Sequence, residues 1–339
     1  MQTFIASVFV FGLLILVHEL GHYFVARWTG IRVLELAIGF GPKIFGWRKN
    51  EIDYSLRAIP LGGFCRMLGE GPNESSEPDS FPQKPVWSRA AVLMSGAGMN
   101  LLLAIVVFFI IFFFIVGVPV TDVSQVGYII EDTPAEVSGL AKGDLIRTID
   151  GLPVADWDDV VTLISARPDR EIILEIERNG QEMEIILTPQ LDEESGRGMI
   201  GIGPQIHKYK FFSSLRTSVD RFMLIIVSMY QVVTGQAPLD VAGPVGIIFV
   251  IGEVAQTGFV NLLMLTGLIS ISLGIMNLLP IPALDGGRLF FLLIEAVRGK
   301  KIDPEKEGFI HFIGFALLIL LILFITYQDL LRFDILPGN

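Results

Sequence analysis

Residues 13–25 read LLILVHELGHYFV, and their reading decides the rest of the chain. The stretch is apolar enough for lipid, yet it carries two histidines and a glutamate. A titratable side chain in a membrane helix costs about 2.5–3.5 kcal/mol on insertion scales, and such groups face a protein interior or a wet cavity. A bound metal is one way to offset that cost. His18 and His22 stand four apart, so on a helix both imidazoles share one face. That spacing lets both nitrogens reach one Zn²⁺ at about 2.0–2.1 Å. Glu19 adjoins the first histidine, close enough to take a proton from a water held there.

Working outward, composition points to a membrane. Of 339 residues, 52% are hydrophobic and 18% charged, and the mean hydropathy is +0.60. A soluble domain of this size would expose too much apolar surface. The formal net charge is −11 with no basic stripe, which argues against nucleic-acid binding. Cys65 is the single cysteine, so there is no intramolecular disulfide and no thiolate metal cluster. Any imidazole site must draw on His18, His22, His207 and His311. A bilayer needs about 20 apolar residues per helix. Four stretches suffice, and they predict transmembrane helices at 1–26, 90–121, 254–287 and 309–331. The first has no basic residue before Arg27, so it lacks the positive start of a cleavable signal peptide. The expected fold is a four-span α-helical membrane protein with one inserted α/β domain and a membrane-associated β-rich loop.

Basic residues near helix ends set orientation. Arg27 and Arg32 follow the first helix, and Lys84 and Arg89 precede the second. Arg288, Arg298, Lys300, Lys301 and Lys306 lie between the third and fourth. Loops 27–89 and 288–308 are therefore expected in the cytoplasm, and 118–258 outside, with both termini outside. One run, FMLIIVSMYQVVTGQAPL at 222–239, tempts a fifth span. A fifth crossing would place the basic loop 288–308 outside, so the run is read as a helix on or dipping into the membrane, within an associated segment 191–253.

Residues 122–190 carry a soluble pattern. VGYII suggests a short strand, and DWDDVVTLISA has helix periodicity with acids in its first turn. EIILEIERNGQEMEIILTP reads as two strands joined at Asn179-Gly180, a strong hairpin signal. The plainer reading is a small α/β domain without a special role. With GLAKGDLIRTIDG ahead of the helix, the element order resembles a PDZ domain. That resemblance implies capture of an extended peptide end by strand addition.

A catalytic zinc needs a third protein ligand and one open position. The third helix ends in MNLLPIPALDGGR, residues 276–288. Asp285 is the first acid after 31 uncharged residues. On the expected topology it lies at the depth of His22. His311, at the start of the fourth helix, is the rival ligand, or else an interfacial histidine; His207 falls outside. Pro280 and Pro282 cannot continue regular helix bonding and should unwind the chain just before Asp285. Asn277 offers an amide to a peptide backbone or an oxyanion, or else an interhelical hydrogen bond. A helix hides its carbonyls, so a helical substrate must unwind before attack. Strands expected within 31–68 end at Gly62-Gly63, where close backbone approach is possible. An exposed edge there could hold substrate by strand addition, unless the element is an ordinary hairpin.

HELGH in the first helix is the H-E-x-x-H logic of metalloproteases. Together with NLLPIPALDGG in the third, it resembles the paired signatures of the bacterial site-2 protease family. The resemblance also covers PLGGFCRMLGE at 60–70, GAGMN at 96–100 and DVAGPVGI at 240–247. It implies a PDZ-containing intramembrane zinc protease of regulated intramembrane proteolysis in the bacterial inner membrane. It implies one Zn²⁺ on His18, His22 and Asp285, Glu19 as general base, and Asn277 as a substrate contact. It further implies a substrate with a single transmembrane segment, such as an anti-sigma factor or a signal-peptide remnant, already shortened by another protease. The PDZ domain would then screen ectodomains by size or by binding a new C-terminus. The chain departs from the family at Ala97, where proline is frequent, and in having one PDZ domain where some relatives have two. Two other readings remain. A PDZ-bearing scaffold with a structural metal site would have no use for Glu19. A metal transporter usually shows internal repeats, and none is seen.

Overall fold

The computed structural model describes residues 1–70, 77–193, 195–236 and 243–333. Residues 240–242 of the DVAGPVGI stretch lie outside the described residues. The chain divides into two compact units, one of Met1–Ile111 with Leu215–Asn339, the other of Phe112–Ser214.

In the first unit, α1 (Gln2–Trp28) is apolar on nearly every side, as a helix in lipid is. The strands β1 (Val33–Lys49) and β2 (Ile52–Met67) follow as a folded-over hairpin: the turn end pairs from Phe45↔Leu56 to Lys49↔Ile52, the open end from Val33↔Met67 to Ile38↔Gly63, and residues 35–38 also meet residues 53–56. Its two-residue turn places Asn50 and Glu51 at φ of 51° and 65°, the turn whose twist suits a hairpin. Phe40, Ile44, Phe45 and Trp47 are exposed towards its far end. Next, α2 (Val86–Ile110) ends in a wider π-turn over Ile111–Ile115. It meets α1 backbone to backbone: a β-carbon on Gly21 would lie 2.4 Å from the Ser95 carbonyl oxygen. Membrane helices associate through small residues of this kind.

The second unit holds β3 (Gly117–Val120), β4 (Val126–Ile129), the short α3 (Pro134–Val137), β5 (Leu145–Ile149), β6 (Leu152–Pro153), α4 (Trp157–Ser165), β7 (Ile172–Arg178), β8 (Gln181–Leu187), β9 (Gln190–Asp192), β10 (Arg197–Met199) and β11 (Ile202–Lys208). Its sheets order as β6-β5-β7-β8, β3-β11-β4 and β9-β10. Asn179 and Gly180, both at positive φ, turn β7 into β8 as expected. Asp156 caps α4, accepting the Asp159 N–H at 3.0 Å. The core gathers Ile146, Trp157, Ile172, Leu174 and Ile176. Asp144 of the Gly-Asp turn is buried, with Arg178 Nε and Nη2 each 2.7 Å away. The expected boundary 122–190 is too narrow. β11, read as part of the membrane-associated segment 191–253, pairs with β4 from Ile202↔Ile129 to Pro204↔Val126 and with β3 on its other edge. Its alternation is weak, and only sheet pairing reveals where it belongs.

The chain then forms α5 (Phe211–Val233), α6 (Pro244–Gln256), α7 (Phe259–Leu278), α8 (Asp285–Arg298) and α9 (Pro304–Arg332). Among the described residues, four helices are long and apolar enough to cross a membrane: Gln2–Trp28, Val86–Ile115, Phe259–Leu278 and Glu305–Arg332. The expected third span, 254–287, proves to be parts of three helices. Gly258 at φ 121° separates α6 from α7, and a non-helical stretch separates α7 from α8. Residues 288–298, expected as loop, continue α8. Its basic residues suggested a loop, but DGGRLFFLLIEAVR is amphipathic at helical spacing. Glu295 of α8 binds Arg89 of α2 through both carboxylate oxygens.

Candidate metal centre

On α1 the four-residue spacing brings the two imidazoles together, with Nε2 of His18 and Nε2 of His22 3.1 Å apart. Oδ2 of Asp285, the first residue of α8, lies 3.2 Å from one and 3.3 Å from the other. A tetrahedral ion with bonds of about 2.0–2.1 Å sets its ligand atoms about 3.3 Å apart. The triangle therefore fits zinc. Asp285 Oδ2 is also buried without a hydrogen-bond partner among the described residues. With the ring protons on the two Nδ1 atoms, one oxygen and two nitrogen lone pairs converge here, a donor set that suits a cation.

The surroundings favour the ligating form of each ring. His22 Nδ1 is 2.8 Å from the Val92 carbonyl oxygen. A carbonyl only accepts, so Nδ1 carries the proton and Nε2 keeps its lone pair for the site. His18 Nδ1 is 3.5 Å from the Asn100 amide, whose Oδ1 is buried without a partner. Turned so that Oδ1 faces the ring, Asn100 gives His18 the same tautomer. Gly96 makes room for both rings: a β-carbon there would be 2.4 Å from His22 Nε2 and 2.7 Å from His18 Cε1.

Glu19 is buried at 9% exposure and borders the same cavity of about 320 Å³ as His18, His22 and Asp285. Strand β2 runs alongside, since a β-carbon on Gly63 would lie 3.1 Å from Glu19 Cγ and 2.9 Å from the Ala37 carbonyl oxygen. Gly63 thus lines the cavity. Gly62 does not; its φ is 127°, and the Phe40 ring fills the space beside it. Asn277 sits half-buried in the last turn of α7, outside the cavity lining, with no side-chain hydrogen bond among the described residues. His311 is not in the converging group. Its Nδ1 accepts the Ala283 N–H at 2.9 Å instead. His207 lies on β11, in the other unit.

Sequence reasoning reached Gly96 and Asn100 only as part of a small-residue run. Such a run in a membrane helix signals close approach but not what approaches. The Val92 carbonyl had no signal at all, because every residue carries one.

A membrane chain of this kind, with two histidines and an aspartate converging beside a buried glutamate, is built as a metallopeptidase. The profile of peptidase family M50 matches residues 6–321, and the chain belongs to that family. The zinc metalloprotease RasP of Oceanobacillus iheyensis is 34% identical, covering 98% of this chain and 99% of its own length. The regulator of sigma-W protease RasP of Bacillus subtilis is also 34% identical, over 98% and 99%. A putative zinc metalloprotease of Clostridium acetobutylicum is 38% identical, over 96% of each. Among solved structures, the PDZ domain of an SdrC-like protein of Listeria innocua covers 26% of this chain and 100% of its own, at 23% identity and a TM-score of 0.23. Its counterpart from Listeria monocytogenes covers 26% and 88%, at 21% identity and a TM-score of 0.21. The chain is a zinc metalloendopeptidase of the site-2 protease type.

Proposed function

We propose that the protein cuts peptide bonds within or next to transmembrane segments of single-pass membrane proteins, after another protease has removed most of their outer domain. One observation carries this reading: Nε2 of His18, Nε2 of His22 and Oδ2 of Asp285 converge from two helices while Glu19 borders the same cavity. His18, His22 and Asp285 hold one zinc ion. When bound, zinc supplies a Lewis acid that polarises the scissile carbonyl and lowers the pKa of water. Glu19 takes the proton of the attacking water and delivers it to the leaving amine. The edge of β2 at Gly63 holds the substrate extended by strand addition, and Gly62 lets the chain turn there. Asn277 keeps its amide for the unwound peptide. The relative in Bacillus subtilis is named a regulator of sigma-W, which favours an anti-sigma factor as the substrate class; signal-peptide remnants share its single span.

Charge distribution supports the orientation. The loops after α1 and before α9 are cytoplasmic, the inserted unit and both termini lie outside, and the metal centre is nearer the cytoplasmic face of the bacterial cell membrane. In the inserted unit, a cavity of about 690 Å³ runs between α4 and residues 198–202, walled by Trp157, Val160, Ile164 and Ile200. A new C-terminus would suit it, and a size filter would not need it.

The test separates base from ligand. Glu19→Gln keeps zinc stoichiometric and loses cleavage of a tagged transmembrane substrate by several orders of magnitude. Equal cleavage by the variant would remove this mechanism. A chelator should abolish cutting by the native chain.

A further inference from the structure

Asp285 reaches the metal centre from a stretch that is not helical. Between α7 and α8 the N–H of Leu279 bonds the Met276 carbonyl, that of Ile281 the Leu279 carbonyl, and that of Leu284 the Ile281 carbonyl. Pro280 and Pro282 have no N–H. The remaining donor, Ala283 N–H, goes to Nδ1 of His311 on α9 at 2.9 Å. Ala283 is the residue of this turn that needs help: its φ is +78°, a region that non-glycine residues avoid. Ala283 is itself exposed, and the His311 ring is the protein group that meets its N–H. One turn further along α9, Gly314 abuts the same segment, where a β-carbon would lie 2.2 Å from Pro282 Cβ. From the other side, a β-carbon on Gly287 would lie 2.4 Å from the Ile281 carbonyl oxygen. The Phe291 ring packs edge-on against the His311 imidazole at 5.5 Å between centroids.

We infer that α9 is a cradle for the ligand-bearing turn, with His311 a positioning residue that holds Ala283 in its left-handed conformation and so sets Asp285 against the two imidazoles. His311 and Gly314 stand three apart and share a helix face, which is why one helix can bond the turn and press on it together. The inference rests on Asp285 being a zinc ligand, and it gives a histidine near the metal centre a role other than ligation.

The test uses the full chain in detergent and reads the zinc dissociation constant by chelator competition. His311→Ala is expected to weaken zinc about 10–100-fold, the usual effect of removing an outer partner of a ligand. His311→Asn, whose Oδ1 can take the same N–H, should keep most of the affinity. Ala283→Gly placed in the His311→Ala chain should restore most of it, because glycine holds positive φ unaided. Gly314→Ala, which leaves the hydrogen bond untouched, should weaken zinc as well; it decides the matter if His311→Ala is recovered unfolded. An unchanged constant in His311→Ala or Gly314→Ala overturns the cradle. So does a loss in His311→Ala as deep as that of His22→Ala with no rescue by asparagine or glycine, which would make His311 a ligand. Asp285→Ala keeps the two readings apart: if it retains zinc, the ligand assignment fails, and if it loses zinc while His311→Ala does not, the cradle alone fails.

Discussion

Gly96 matters at the residue scale because it is where a single atom has no room. A β-carbon there would strike His22 Nε2 and His18 Cε1 within 3 Å, and neither ring can retreat without leaving the site. Gly96→Ala should therefore lower zinc affinity about 10–100-fold, as outer-sphere changes do, with little change in helix content by circular dichroism. Chelator competition on the two proteins checks it, and equal constants would mean the imidazoles have another place to go. His18, Glu19 and His22 were legible in the sequence because helical periodicity alone puts them together. Asp285 was legible because charge is so rare in this part of the chain. His311 was not: its chemistry equally suits a ligand, and only its bond to Ala283 assigns the ring elsewhere.

Elements depend on buried charge in ways that periodicity does not reveal. Glu35 on β1 accepts from Ser55 Oγ at 3.0 Å and from Arg57 Nη2 at 2.7 Å, with Arg66 Nη2 at 3.3 Å. Burial by itself would raise the Glu35 carboxyl, but Arg57, Ser55 and Arg66 outweigh it and hold the group below the ordinary range. The folded pKa lies below the unfolded one, so the hairpin's gain is present above about pH 4.3, the unfolded value for Glu, and is lost as pH falls through the folded pKa. Protection of the β1 and β2 amides, corrected for the intrinsic pH dependence of exchange, should fall below about pH 4 in the native chain, and Glu35→Gln should flatten that dependence. Asp329 on α9 is a second case. It is buried and accepts from Gly243 N at 3.2 Å and Gly246 N at 2.7 Å, capping the start of α6. Asp329→Ala should cost about 1–2 kcal/mol, the scale of a lost cap, measurable as a fall in the thermal midpoint in detergent.

For the whole molecule, the inserted unit leaves the chain after α2 and returns at the start of α5, so it can be removed without cutting α1 or α8. The sheet pairing says where to cut. Deleting 117–208 takes β3 and β11 with their partners, whereas deleting 122–190 would strand them. With 117–208 replaced by a short flexible linker, zinc binding should persist and longer, unprocessed substrates should be cut. Loss of cutting on already shortened substrates, with zinc retained, would instead make the unit a recruiter that uses its apolar cavity. Topology is checked separately. In a Cys65→Ala chain, Ser195→Cys should react with an impermeant reagent in intact cells and Lys300→Cys should not. Native Cys65 is buried and would stay silent on either side.

The sequence by itself determined the membrane setting, the number of long apolar helices, the shared face of His18 and His22 on α1 and the Asn179-Gly180 hairpin. Each follows from local chemistry: hydropathy, helical spacing and turn conformation act within a few residues. Only the tertiary structure decided that β11 completes the inserted unit, that 285–298 is a helix tied to α2 by Arg89 and Glu295, and that Gly96 and Val92 set the imidazoles. Those outcomes depend on which segments meet across long separations in the chain. A carbonyl, a glycine or an amphipathic stretch looks the same in sequence whatever it packs against.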